Sequence, residues 1–407
     1  MSRQCKAMEK KYLQGRSIEP ISLRRGMSVK DLIDLRGIRT TAGSTVRRDC
    51  IAGADAPAMT TLREAGVVFI GKTNLHEFAF GTTNEDSAFG PARNPHDPSR
   101  SPGGSSGGSA ISVATGMALA TIGTDTGGSI RIPAAACGIV GLKPSLGEVS
   151  TGGVVPLSRT FDHVGPLTQS VTDAWLVYRA LVGGAIAKPP APRPASGRRF
   201  AVPRGYFCDL LDEEVRARFE EALETLREAG VQVDEVEIRH ANAAPAVYLH
   251  ISLADAAAYH ATTLETVPNR YTPNVRLRLE MGRYVLGEDY ARALAGREVL
   301  RGEVDAALAD CDALLMPTLP IPAPPIGADS IRVGAGPEPV RNLMLRLTSP
   351  FNITGHPAIA LPSGVTSSGL PCSIQLVGAR GRTDALLRLA RAVEDVQQRS
   401  RGRSRQS

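Results

Sequence analysis

The spacing of apolar residues switches along the chain between a helical and a strand period. Ala58, Leu62 and Ala65 share one helical face, with Asp55 placed to cap the start and Gly66 to stop the helix. The apolar run at 67–70 predicts a short buried strand. The alternation recurs: a helix is predicted over 106–116 and a strand over 119–122. Helices interleaved with short strands argue for an α/β sheet with helices on its faces. The clearest helix carries Val215, Phe219, Leu223 and Leu226 on one stripe, acidic residues at 212–214 and Gly230 as its end. Residues 231–238 then alternate apolar and polar, as in a strand with one open face. Further strands are predicted over 313–316 and 373–377, and an amphipathic helix over 385–396. Pro-rich stretches at 188–194 and 317–325 interrupt the pattern, the first reading as an exposed loop or linker.

The bulk numbers narrow the class. With 42% hydrophobic and 22% charged residues in 407, the chain has the balance of a soluble globular protein with a large core. No apolar run reaches the ~18 residues of a membrane span, and the first residues have no apolar signal core. The net charge of +6 gathers partly at the ends, notably in the basic tail over 399–405, which reads as a solvated terminus. Aromatic residues are 4% and form no platform with basic residues, so nucleic acid is not an expected partner. Six cysteines without a C-x-x-C pair suit neither zinc nor a disulfide framework. They read as reduced thiols of a cytoplasmic protein. The seven histidines are scattered without H-E-x-x-H, and neither a metal nor a cofactor is expected.

Two clusters of glycine and serine carry the chemistry, S-P-G-G-S-S-G-G-S at 101–109 and G-T-D-T-G-G-S-I-R-I-P at 123–133. Glycine runs allow close backbone approach and expose N–H groups to an anion. A phosphate loop is the first rival, but no Gly-Lys-Ser or Gly-Lys-Thr closes either cluster. The spacing from Gly66 to the Gly71-Lys72-Thr73 triplet encloses a strand-like apolar run instead of a loop. The alternative is an oxyanion hole. The N–H groups of Thr126, Gly127 and Gly128 would supply donors beside the Ser129 hydroxyl. That serine needs a base, either a histidine, with Asp162-His163 as candidate, or a lysine made neutral by burial.

These segments resemble the amidase signature family. The resemblance rests on V-K-D-L at 29–32, G-G-S-S-G-G-S at 103–109, the G-T-D-T-G-G-S cluster, C-G-I-V-G-L-K-P-S at 137–145 and F-D-H-V-G-P-L at 161–167. P-F-N-I-T-G-H-P-A-I-A-L-P at 350–362 and I-Q-L-V-G at 374–378 extend it. The resemblance implies a large mixed β-sheet core covered by helices on both faces. It implies a catalytic set of Ser129 as nucleophile, Ser105 in a cis peptide as proton relay and Lys30, not Lys72, as base. Asp125 and Arg131 would support the loop, while His163 and Cys137 would be packed scaffold residues. The resemblance covers 28–397 as one domain, with an atypical segment at 1–27 and a disordered basic tail at 398–407. In the family an apolar lead-in precedes V-K-D; here Arg24 and Arg25 degrade that strand face.

The implied reaction is hydrolysis of a small carboxamide to an acid and ammonia, through an acyl-enzyme. Two alternatives stay open: the glutaminase component of a tRNA-dependent amidotransferase, for which nucleic acid would matter, and a non-catalytic binding protein on the same scaffold. A homodimer is also left open.

Overall fold

The computed structural model describes residues 26–184 and 194–404, with side chains as far as Ser400. In chain order the strands are β1 (Gly26–Lys30), β2 (Val68–Thr73), β3 (Ala120–Asp125), β4 (Val140–Lys143), β5 (His163–Thr168), β6 (Arg199–Pro203) and β7 (Gln232–Val236). They continue with β8 (Ala313–Pro317), β9 (Ser330–Val333), β10 (Gly336–Pro339), β11 (Ala358–Val365) and β12 (Pro371–Val377). The helices are α1 (Pro57–Glu64), α2 (Gly107–Ala114), α3 (Arg131–Cys137), α4 (Val171–Leu181), α5 (Glu213–Glu228) and α6 (Ala244–Thr266). After them come α7 (Pro273–Gly282), α8 (Gly287–Ala307), α9 (Val340–Arg346), α10 (Pro350–Ile353) and α11 (Thr383–Ser404).

Among the described residues one ten-stranded sheet runs in the order β2-β1-β3-β5-β4-β11-β12-β8-β6-β7, and β9 pairs with β10 apart from it. The sheet is mixed. β1 is parallel to β2 and β3, and β6 is parallel to β7 and β8, while the strands between are antiparallel. Successive side chains on a strand point to opposite faces. Along β3, Ala120 and Ile122 join a core cluster with Ala174 and Val177 of α4, Leu223 of α5 and Val393 of α11. On the opposite face Leu167 of β5 packs with Ala110 and Val113 of α2 and Ala134 of α3. Helices therefore cover both faces, as the resemblance implied.

Helix α5 forms as its pattern predicts. Val215, Phe219, Leu223 and Leu226 are buried, each worth roughly 1.5–3 kcal/mol against exposure. The Asp212 carboxylate caps its start, accepting from the N–H groups of Glu214 at 2.9 Å and Val215 at 3.3 Å.

Four expectations are corrected. Asp55 does not cap α1: Ala56 stands at the cap without a side-chain bond and Pro57 opens the helix. Proline at the first helical position presets φ and has no N–H to satisfy, so the Asp55 carboxylate turns to Arg63 Nε and the Arg36 N–H, both at 2.8 Å. The run at 67–70 does form a strand, but β2 is the sheet edge, with Val68 53% and Ile70 55% exposed. An apolar run reports affinity for a sheet, not which strand is last. Helix α11 continues to Ser404, past Val396 and through the start of the tail expected to be disordered; Gln397, Gln398 and Arg399 are good helix formers. Gly26 and Met27, expected to lie outside the domain, belong to β1, and Met27 is buried. Arg24, Arg25, Cys5, residues 405–407 and most of the Pro-rich stretch at 188–194 lie outside the described residues. No described helix is long and apolar enough to cross a membrane.

Candidate active site

Two parallel strands end side by side. Met27, Ser28 and Val29 of β1 pair with Ala120, Thr121 and Ile122 of β3, so Lys30 closes one strand next to the last residues of the other. The crevice beyond the carboxyl ends of such strands is where ligands bind in open α/β sheets. Lys30 is fully buried there. Its Nζ lies 2.7 Å from Ser105 Oγ and 2.8 Å from Thr124 Oγ1. Burial pushes the ammonium pKa down to about 7, against the fields of Asp125 and Asp162, which raise it. Asp31 does not meet Lys30. Its carboxylate lies 3.1 Å from Lys72 Nζ and accepts from the Thr41 hydroxyl. Lys72 also donates to the Ile33 carbonyl at 2.6 Å and takes no part in the crevice.

The peptide bond between Gly104 and Ser105 is cis. The segment is held from both sides: the His76 N–H donates to the Ser105 carbonyl at 3.1 Å, and the Ser106 hydroxyl donates to the Thr124 carbonyl at 3.2 Å. The Ser106 N–H donates to the Ser129 carbonyl at 3.3 Å, which sets the two Gly/Ser segments beside each other. Ser129 is buried, with 6% exposure.

The loop between β3 and α3 is shaped by its glycines. Gly128 has φ +136°, open to glycine but strained for a residue with a Cβ. At Gly127 a Cβ would lie 2.6 Å from the Tyr248 hydroxyl. The Thr348 hydroxyl donates to the Gly127 carbonyl at 2.6 Å and the Ile132 N–H to the Gly128 carbonyl at 2.7 Å. Both carbonyls are thereby turned into the protein. Among the described residues no acceptor is paired with the N–H groups of Gly127 and Gly128. Thr126 is anchored through its hydroxyl, which donates to Asp162 at 2.6 Å. The Asp162 carboxylate, raised to about 6 by burial, also accepts from the N–H groups of Leu157 and Ser158.

Asp125 and Arg131 form a fully buried ion pair, 3.0 Å between Oδ1 and Nη2. Burial disfavours the Asp125 charge, but Arg131, Lys143 and the Asn352 amide outweigh it and hold the carboxyl well below its ordinary range. Arg131 extends the network to Gln375 Oε1 and Asn352 Oδ1, both at 2.7 Å. Both charges are paired and hydrogen-bonded, which is what a buried ion pair requires. The network pins the start of α3 to β12 and α10, and so fixes the loop that presents Ser129.

His163 stands apart from the serine hydroxyls. Its Nδ1 donates to the Phe161 carbonyl at 2.6 Å, and its Nε2 lies 3.3 Å from Lys143 Nζ. Burial and the Lys143 charge push it well below the usual histidine range. We expect His163→Asn to keep kcat/KM within about tenfold per folded molecule. A loss of 10³-fold or more, the scale of a missing triad member, would assign the imidazole as base. Cys137 is buried, and burial pushes its thiol up, away from the reactive thiolate. Among the described residues no group of three or more His, Cys, Asp and Glu could hold a metal ion.

The structure thus brings Lys30, Ser105, Thr126, Gly127, Gly128, Ser129, Asp125 and Arg131 to one end of the sheet. Sequence reasoning missed Thr124, Asn352, Gln375, Thr348 and Tyr248. The first three sit inside the family-like motifs, but a motif does not say which side chains meet. Thr348 and Tyr248 carried no local signal.

The sequence profile of the amidase family matches residues 26–387. The A subunit of the glutamyl-tRNA(Gln) amidotransferase from Koribacter versatilis is 35% identical, over 90% of this chain and 83% of its own length. A crystal structure of an amidase superposes with a TM-score of 0.86 at 41% identity, covering 91% of this chain and 84% of that one. The peptide amidase of Stenotrophomonas maltophilia gives 0.76 at 30% identity, over 92% of this chain and 82% of that one.

Proposed function

The chain belongs to the amidase signature family, and we propose that it is a stand-alone cytoplasmic amidase using Ser129, Ser105 and Lys30. The observation that carries the proposal is the 2.7 Å contact between a fully buried Lys30 and Ser105 Oγ. An amine depressed to about 7 is about half neutral at that pH and largely neutral a unit above it, with a lone pair to accept a proton.

In the proposed reaction the Ser129 oxygen attacks the amide carbon and a C–O bond forms. Its proton passes to Ser105, whose own proton passes to Lys30. The carbonyl oxygen becomes an oxyanion, received by the N–H groups of Thr126, Gly127 and Gly128. Collapse breaks the C–N bond, and the proton returns through Ser105 to the leaving nitrogen, which departs as ammonia. Water then repeats the attack on the acyl-enzyme and releases the carboxylic acid.

The similarity to an amidotransferase component over 90% of the chain favours a second reading, a glutaminase that needs partner subunits. Ammonia release by the chain alone, on short aliphatic amides, aryl amides, urea-type amides and glutamine, separates the two. Turnover of simple amides without a partner is expected. Activity confined to glutamine, or appearing only with partner subunits, would favour the second reading. Retained ligand binding without turnover would mark a non-catalytic protein.

A further inference from the structure

A cavity of about 310 Å³ lies between the start of α6 and the helix α9, lined in part by Tyr206, Tyr248, Arg341, Leu345 and Arg346. It shares walls with the reaction loop. A Cβ on Gly127 would lie 2.6 Å from the Tyr248 hydroxyl and 2.8 Å from Leu345 Cδ2, so both side chains touch the loop and line the cavity. Arg341 precedes Leu345 by four residues on α9, which puts the two on one helix face. One turn separates them, about 6 Å along the axis.

Arg341 is half-buried, and one nitrogen of its guanidinium is left unsatisfied. Its Nε is buried with no hydrogen-bond partner among the described residues. Such a donor costs free energy until an acceptor arrives. Nearby charge is predominantly positive: Arg346 lines the same cavity, its guanidinium 4.0 Å over the Tyr206 ring. Arg278 of α7 is pushed down to about 10 by burial and then by the charge of Arg341 itself. Glu338 is the carboxylate of the lining. The rest of the wall near Gly127, Leu345 and the Tyr248 ring, is apolar. An occupant suited to this arrangement has an aliphatic stretch against Leu345 and an anion at Arg341.

We propose that this cavity holds the tail of the substrate, and that the substrate is a short aliphatic amide with a carboxylate at its far end, bound by Arg341. This rests on the amide hydrolase reading. The test compares glutaramate with pentanamide, which has the same chain length without the charge, in the wild type, Arg341→Met and Arg341→Lys. The wild type is expected to favour glutaramate by at least about tenfold in kcat/KM, as a charge-assisted contact allows. Arg341→Met should erase that preference through KM while pentanamide turnover stays within about twofold, which also reports an intact fold. Arg341→Lys should recover part of the preference. Equal use of both amides by the wild type, or an equal loss on both in Arg341→Met, would overturn the proposal. If neither these amides nor any other amide tested above is hydrolysed, the hydrolase reading fails separately. The cavity is then tested by calorimetry with glutarate: binding lost in Arg341→Met supports the anion site, and no binding to the wild type rejects it.

Discussion

Ser129→Ala is expected to lower kcat/KM for a simple amide at least about 10⁴-fold, the scale on which loss of a serine nucleophile acts, with melting temperature nearly unchanged. The second half follows from the surroundings. Ser129 closes the loop through its backbone, with its carbonyl taking the Ser106 N–H. Loop geometry is set by Gly128 and by the Asp125–Arg131 pair, none of which involves the Ser129 hydroxyl. Alanine keeps that backbone and removes only the oxygen. Ammonia release and circular dichroism on the same preparations test both halves. Mass spectrometry after quenching with a slow ester or amide should show an acyl adduct on the wild type and none on the variant. Near-normal turnover, or an adduct that persists in Ser129→Ala, would remove Ser129 from its role.

The second large effect concerns Lys30. Burial lowers its pKa, Asp125 and Asp162 raise it, and burial wins, leaving it at about 7. Asp31 is out of the balance because Lys72 and Thr41 hold it. A base must be neutral to accept a proton. Activity should therefore rise about tenfold per pH unit below the depressed value and level off above it. Asp162, raised to about 6, lies in the same field, so the observed limb belongs to the pair. Lys30→Met, close in volume, should remove the limb and lower kcat/KM on the order of 10³-fold. Lys30→Arg should not rescue it, since a guanidinium stays charged. Stability gives an independent reading of the same depression. Between about pH 7 and the ordinary 10.5 the unfolded chain binds a proton that the folded chain does not, so stability rises with pH across that window. Lys30→Met should lose Lys30's share of this rise and keep that of Lys143 and Lys72, which burial also lowers. Profiles of kcat/KM and melting temperature against pH check both, and a limb that survives in Lys30→Met would reject Lys30 as the base.

Features that depend on near neighbours along the chain were legible in the sequence alone. The stripe on α5 and the acidic start at 212–214 could be read because both depend on residues within a turn or two of each other. The two Gly/Ser clusters could be read because their glycines stand where the backbone must turn sharply or meet another group, as Gly127 and Gly128 do. The serines followed from those clusters, and the choice of Lys30 over Lys72 followed from the family resemblance. Features that join residues far apart in the chain needed the folded molecule. Lys30 meets Ser105 across 75 positions and Thr124 across 94, and neither distance is written in V-K-D. Its lowered pKa comes from burial by the whole sheet end, since desolvation is a property of everything packed around a group. Arg131 is satisfied by Asn352 and Gln375, 221 and 244 positions away, once α10 and β12 pack beside the start of α3. Strand order made β2 an edge although its apolar run resembles a central strand, because hydrophobicity is local and position in a sheet is not.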